Sequence, residues 1–322
     1  MIKVVKLVIF FIILFVHLGY CFRLEKRYII DDSNRQIGIK RYYRIISLYP
    51  AHTENIVALG GTNRLVGISI SDTYPDFILD KPRFSYHFGI ERFLKVRPDL
   101  ILIRPMIDMG YKNLISQLEK NNIKIVSLQP KSLDDLYEYW KILGVLIGNL
   151  DRANNMIYDF KSMLSKFDNI NKKIKHKKYV YFESIHRKVK TFCNTSIAAS
   201  ILSKAGGINV ADDAICVKST NIADYGKERL FSKADKIDVY LTQRGRMNKV
   251  DVAKIKHEPG FMIIKAVKNN QVYVVDEELT SRPTLRLLLG IYEIGHILYP
   301  EYYNNQLKKE VIQIIKKYYK ED

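Results

Sequence analysis

The chain has little of what catalysis or metal binding usually needs. It holds three cysteines, seven histidines and one tryptophan in 322 residues. His52, His87, His176, His186, His257 and His296 stand singly, so no two share a helix face at metal-ligand spacing. There is no G-x-G-x-x-G in the first strand-to-helix turn, which leaves a dinucleotide site unsupported. A P-loop, a G-x-S-x-G elbow and an H-E-x-x-H helix are missing as well. Leu59, Gly60, Gly61 and Thr62 read as a helix end, not as a phosphate cradle. No helix-turn-helix, zinc finger or aromatic-plus-basic RNA motif occurs, which excludes nucleic acid as the expected partner. These absences favour a binding protein over an enzyme, with no cofactor and no protein-held metal.

Long apolar runs are also scarce. Lys3 and Lys6 precede one run over residues 7–16, which ends before Leu18, Gly19, Tyr20 and Cys21. A membrane span needs about 20 apolar residues, so this segment reads as an export leader. The Leu-Gly-Tyr-Cys end is similar to a lipoprotein cleavage box, with Cys21 as the lipidated residue. It departs from that pattern at Tyr20, where a small side chain is expected, so an unmodified Cys21 stands as the other reading. Export places the chain in the periplasm or at the outer face of the cytoplasmic membrane. In that oxidising space Cys193 and Cys216 form a disulfide or remain two separate thiols; spacing alone does not choose. Lys and Arg outnumber Asp and Glu by 52 to 34. That excess suits an acidic partner, an anionic membrane surface or an anionic ligand. A general bias toward Lys, Ile, Asn and Tyr is the preferred explanation, because the lysines are scattered.

Strand and helix signals alternate after the leader. Residues 28–39 form a hairpin around Asp31, Asp32, Ser33 and Asn34. Short apolar strands follow at 44–48, 65–70, 99–103 and 123–128, with helices between them, as at 53–59 and 113–120. Ser132 and Asp135 form a capping box for the next helix, whose apolar face takes Trp140. Apolar residues then recur at steps of three and four over residues 151–173 without Gly or Pro, which predicts a helix of roughly 35 Å. A second alternating set runs from 178 to 318. The organisation is α/β: a leader over 1–21, an N-terminal lobe over 22–149, a linking helix over 150–174 and a C-terminal lobe over 175–322. One echo supports two lobes. Gly89-Ile-Glu91-Arg92 precedes the strand at Asp99, and Gly226-Lys-Glu228-Arg229 precedes the strand at Asp238.

Arg44-Ile-Ile-Ser-Leu-Tyr-Pro50-Ala-His-Thr53-Glu54 resembles the opening of class III periplasmic binding proteins, which serve ABC importers of iron-siderophores, haem and cobalamin. Pro98 to Leu102, Phe261 to Val275, Ser281 to Leu287 and Leu298 to Glu301 match that family in order and spacing. The resemblance spans about residues 28–320. It implies two Rossmann-like lobes joined by a single long α-helix, a monomer with ligand held between the lobes, and delivery to a permease dimer with its ATPase. Opening and closing should be small, because a continuous helix resists bending.

Glu91 and Glu228 match the family positions that present one carboxylate per lobe to permease arginines. Loops at the C-terminal ends of strands nominate the ligand contacts: Tyr49, Ser71, Asp72, Tyr74, Tyr86, His87, Arg104, His186, Arg187 and Arg282. Arginines suit anionic oxygens bidentately, and tyrosines stack on flat ligands or ligate ferric iron. The expected ligand is an iron complex, a siderophore-like chelate. Haem and cobalamin are the alternatives within the fold, and a cofactor-assembly scaffold or enzyme with nitrogenase-like lobes is the alternative outside it.

Overall fold

The computed structural model describes residues 22–218 and 220–320. Cys21 and the leader lie outside the described residues, and the lipidation reading with them. Among the described residues no helix is long and apolar enough to cross a membrane.

The expected hairpin is the centre of a small antiparallel sheet of β1 (Arg23–Leu24), β2 (Tyr28–Ile30) and β3 (Gln36–Gly38). Its turn is fastened by the buried Asp31 carboxylate. That group accepts from the backbone N–H of Ser33, Arg35 and Ser127 and from the Arg35 guanidinium. The N-terminal lobe follows, with β4 (Ile45–Ser47), β5 (Leu65–Ser69), β6 (Arg83–Phe84), β7 (Leu100–Ile103) and β8 (Lys124–Ser127). They lie in the order β6-β5-β4-β7-β8, and every pair is parallel. Helices cover both faces, so β7 is wholly apolar and wholly buried.

The C-terminal sheet departs from the expected parallel plan. β9 (Tyr179–Ile185), β14 (Val239–Arg244) and β15 (Val272–Asp276) are parallel neighbours. Beside them β10 (Lys190–Phe192), β13 (Ile222–Asp224) and β12 (Ile215–Cys216) continue antiparallel, and β11 (Ile208–Asn209) pairs with the start of β9. These added strands have two or three residues each, too short for an alternating pattern to declare them. Cys193 and Cys216 are disulfide-bonded across this antiparallel edge, with Cα atoms 5.3 Å apart.

The helix Leu133–Ile147 carries the expected Ser132/Asp135 capping box and ends at Gly148, whose φ of +70° lies in the left-handed region that favours glycine. Trp140 is fully buried, as expected of core. The long helix is Leu150–Asn171, 22 residues, about 33 Å at 1.5 Å per residue. Its first turn is bound to the N-terminal lobe, where Asn149 and Arg152 donate to the carbonyls of Leu59 and Ala58. Its far end is bound to the C-terminal lobe. There Asp168 pairs with Lys204, and Asn171 donates to the carbonyls of Ser203 and Lys204.

The long helix does not stand alone. The last helix, Asn305–Tyr318, returns antiparallel beside the long one, held by Lys166–Glu310 and Lys317–Asp159 pairs. Tyr319 then packs edge-on against Tyr74 of the N-terminal lobe. One continuous apolar core runs from Ile45 and Ile56 through Phe160 to Leu202 and Val311. The lobes are therefore fused along a common seam and not held apart by a strut.

The seam has a charged centre. Glu54, on the helix Pro50–Ala58, is fully buried. Its Oε1 accepts from Arg282 Nη1 at 2.8 Å and Arg286 Nη2 at 3.0 Å, and its Oε2 accepts from Arg286 Nε at 2.9 Å. Both arginines also pair with Glu278 at 3.1 Å, and Thr73 of the N-terminal lobe donates to Glu278. Beside this cluster Asn55 donates to the Pro283 carbonyl and accepts from Trp140 Nε1. Two carboxylates against two guanidiniums leave no uncompensated charge inside, which is the condition for burying ions at all.

Removing one member should be severe. Glu54→Gln is expected to lower unfolding free energy by about 3–5 kcal/mol, the scale of a broken buried pair, measured by urea denaturation. A change inside 1 kcal/mol would mean the seam is held by packing alone. Replacing Cys193 and Cys216 together by serine is expected to cost about 3 kcal/mol from the loop they close, measured the same way against the oxidised wild type, with the reduced wild type expected to match the variant.

Candidate functional site

Parallel strands deliver their following loops to one end of each sheet, and ligands of open α/β sheets bind there. On the N-terminal lobe that end collects Tyr49 after β4, Ser71 to Tyr74 after β5, Tyr86 and His87 after β6, and Arg104 after β7. On the C-terminal lobe it collects residues 186–188 after β9, 245–248 after β14 and 277–282 after β15.

Tyr49 is the N-cap residue of the helix Pro50–Ala58, where Pro50 supplies the fixed φ of a first helical position. Its ring lies edge-on to His52 at 5.2 Å. His52 is fully buried; one ring nitrogen meets the Tyr139 hydroxyl and the other the Ile103 carbonyl. Burial holds its pKa down to about 4, so the imidazole is neutral at physiological pH. Arg104 lies over the Tyr49 ring, its guanidinium carbon 4.9 Å from the centroid. Among the described residues Arg104 makes no ion pair or hydrogen bond through its guanidinium. It is a cation stacked in place with its donors unused.

The facing wall is a cavity of about 350 Å³ lined by Arg244, Arg246, Asp276, Glu277, Glu278 and Arg282. Arg244 pairs with Asp276 at 3.0 Å. Arg246 reaches across to the Ser71 hydroxyl of the other lobe. Thr73 to Glu278 makes the second crossing. Arg246 was not among the expected residues. Its signal was three cationic side chains in six residues at the end of β14 and just beyond it, Arg244, Arg246 and Lys249, in a chain already rich in lysine.

Four expected contacts are occupied otherwise. Arg282 lines the cavity, but its guanidinium is committed to Glu54 and Glu278. Tyr74 belongs to the seam, with the Arg286 guanidinium 4.2 Å over its ring and Tyr319 at its edge. Asp72 is buried and holds its own turn. Its Oδ2 accepts from the Ser69 N–H and the Thr53 hydroxyl, while Oδ1 has no partner. Burial raises its pKa to about 7. His186 is buried beneath its loop, 3.0 Å from Glu183 and edge-on to Phe261. Glu183 also accepts from the hydroxyls of Tyr240 and Thr242, and these neighbours make His186 a structural residue of the lobe. Its pKa is raised: burial opposes this, but the hydrogen bond and charge of Glu183 outweigh it. Arg187 is exposed and makes no side-chain hydrogen bond or ion pair among the described residues.

Tyr86, His87 and Tyr111 form one cluster. Ring centroids lie 4.5 Å apart for Tyr86–His87, 4.6 Å for Tyr86–Tyr111 and 5.2 Å for His87–Tyr111. Tyr111, at the end of the helix Pro105–Gly110, was not anticipated. No group of three or more His, Cys, Asp or Glu side chains suited to a metal ion occurs among the described residues.

The paired glutamates sit alike. Glu91 opens the helix Ile90–Lys95 and Glu228 the helix Lys227–Ser232, each two residues after a glycine. Both are exposed, and neither forms an ion pair among the described residues. The two starts differ in backbone: Gly226 has a φ of +87° and Gly89 does not share it.

Comparison with known proteins agrees with this geometry. The family model for periplasmic binding proteins matches residues 45–279. An uncharacterized ABC transporter substrate-binding lipoprotein of Bacillus subtilis is 26% identical over 84% of this chain and 85% of its own length. A vitamin B12-binding protein of Vibrio cholerae is 25% identical over 78% of this chain and 87% of its own. The crystal structure of a possible iron-binding, periplasmic solute-binding protein from Staphylococcus epidermidis superposes with a TM-score of 0.70 at 27% identity, covering 81% of this chain and all of the other. Two α/β lobes that bring their strand ends together fit that assignment: the chain belongs to the periplasmic binding protein family, whose members are solute-binding proteins and not enzymes, and is the substrate-binding component of an ABC transporter.

Proposed function

We propose that this chain captures an anionic iron chelate of the siderophore type between its lobes and hands it to a membrane permease driven by its ATPase. The observation that carries the choice of ligand is Arg104. A guanidinium stacked on Tyr49 with its donors unused is a pre-oriented fork for carboxylate, catecholate or hydroxamate oxygens. Arg246 adds a second cation from the opposite wall, now resting on a neutral hydroxyl that a ligand anion can replace. Cobalamin is the second reading, favoured by the vitamin B12-binding relatives. Arg104 weighs against it, since a large and weakly charged ligand would cover that guanidinium without giving its donors a partner.

Glu91 and Glu228 are assigned to permease docking. Two exposed, unpaired carboxylates, one per lobe, set orientation and register when they meet two cations on a partner. The same reading puts the protein in the periplasm or at the outer face of the cytoplasmic membrane, with Cys21 as its anchor in the lipidated case and an unmodified cysteine in the other. The Bacillus subtilis relative, itself described as a lipoprotein, supports that reading.

Glu91→Ala with Glu228→Ala is expected to abolish uptake while leaving chelate affinity unchanged in calorimetry. A fall in affinity would mean the carboxylates serve the ligand instead. Arg104→Ala is expected to weaken an anionic ferric chelate by about 1.5–3 kcal/mol, the scale of hydrogen bonds to a charged group, and to leave cobalamin binding unaffected. Equal affinity of wild type and variant for the chelate would remove Arg104 from the site.

A further inference from the structure

One stretch breaks the scatter of lysines along the chain. Lys172, Lys173, Lys175, Lys177 and Lys178 fall within seven residues, with His176 among them. The tract joins the end of the long helix to β9, and its backbone is held in place. Ile174 is buried in the common core. The Tyr302 hydroxyl donates to the Lys173 carbonyl, and the Lys178 N–H donates to the Tyr299 hydroxyl at 2.6 Å. Lys172, Lys173, Lys175, His176 and Lys177 are exposed, and none of the five lysines forms an ion pair among the described residues. Nearby carboxylates are largely taken: Asp168 by Lys204, Asp238 by Lys265 and Glu310 by Lys166. Lys173 and Lys166 also share a cavity of about 330 Å³ between the long helix and the last one, with Asn169, Asn304, Gln306 and Glu310 in its wall.

Strand direction places this patch. β9 runs about 20 Å from Tyr179, beside the tract, to Ile185 at the mouth. β13 runs the same way, and its last residue, Asp224, is level with Lys190 of β10, itself level with Ile185. Glu228 follows that end. The cleft and the docking carboxylate thus lie at one end of the sheet and the lysines at the other, where neither ligand capture nor permease docking uses them. Like charges crowded on a fixed backbone repel one another, and a partner bearing many anions relieves that repulsion. We propose that residues 172–178, with the adjoining cavity, form a contact surface for the anionic phospholipid headgroups of the membrane beside which the protein works. This rests on the extracytoplasmic location and the docking reading above. An anionic leaflet attracts basic segments that lie within a Debye length of it. Lys173 and the amides of the cavity wall offer donors to a phosphate that enters. Resting on this patch, the protein turns its mouth away from the membrane, toward incoming ligand. Docking through Glu91 and Glu228 then requires it to leave the surface and turn over, which a salt-screened, purely polar contact permits.

The test is co-sedimentation of the chain from Phe22 onward, which carries no acyl group, with two kinds of vesicle. One is an equal mixture of phosphatidylglycerol and phosphatidylcholine, the other phosphatidylcholine alone. The wild type is expected to bind the first only, and less tightly as salt rises. Replacing Lys172, Lys173, Lys175 and Lys177 together by glutamine is expected to weaken that binding about a hundredfold or more, at roughly fivefold per lysine near the surface. A charge-matched control replaces four exposed lysines of the N-terminal lobe by glutamine, Lys26, Lys112, Lys120 and Lys124, and should bind nearly as the wild type does. Equal loss in both variants would overturn the surface in favour of diffuse net charge. Failure of the wild type to bind phosphatidylglycerol vesicles, with tract-dependent binding of soluble polyphosphate instead, would overturn the membrane as partner. The tract variant should keep the wild-type affinity for a ferric chelate; a loss would place these lysines in the capture machinery and overturn their separate role. A wild type that binds vesicles through the tract and no chelate would leave this surface standing and overturn the ligand reading alone.

Discussion

A fully buried carboxylate gripped by two arginines from the opposite lobe governs how this molecule can move. Glu54 lies on the first helix of the N-terminal lobe, and Arg282 and Arg286 lie at the entry of the penultimate helix of the C-terminal lobe. Separating them would leave charges in a low-dielectric interior with no partner, which is among the costliest changes a fold can make. The lobes are therefore locked at the seam. What freedom they have lies at the mouth, where Arg246 to Ser71 and Thr73 to Glu278 are single contacts at the cleft's edge. Capture becomes an exchange of these contacts for contacts to a ligand, within a cleft that is mostly formed beforehand.

That lock also explains the division of labour among the arginines. Arg282 and Arg286 are satisfied by Glu54 and Glu278 and hold architecture. Arg104 is held by a ring and not by a carboxylate, so its donors stay available. Arg246 is held by a hydroxyl, a weaker partner than any anion. Sequence position alone does not separate these roles; the partner of each guanidinium does.

Much of the plan was legible in the chain because it follows local rules. Strands such as Leu100–Ile103 announce themselves by unbroken apolar runs, the helix Leu150–Asn171 by its three-and-four spacing, and the helix Leu133–Ile147 by its capping box. The twin Gly-x-Glu-Arg starts were visible as a repeat and occupy matching helix starts. What escaped was long-range. Glu54 reads as an ordinary carboxylate near a helix start, while its partners lie 228 and 232 residues later. Tyr74 follows a strand, and loops after strands usually face ligand. The returning last helix converts that loop into a seam. Asp72 and His186 were nominated by position, yet each is drawn inward by hydrogen bonds that only the folded chain creates. The strands β10 to β13 were too short to carry a pattern, and the disulfide that ties their edge depends on separation in space.

The most direct test of the locked seam is an inter-lobe distance. Spin labels placed on exposed Lys120 and Asp235 would be followed by pulsed electron resonance with and without a ferric chelate. One narrow distance distribution, moving by about 2 Å or less on ligand addition, is expected of a pre-formed cleft. A broad or two-peaked distribution in the ligand-free protein, or a shift many times larger on binding, would contradict it and make Glu54 a contact of one closed state only.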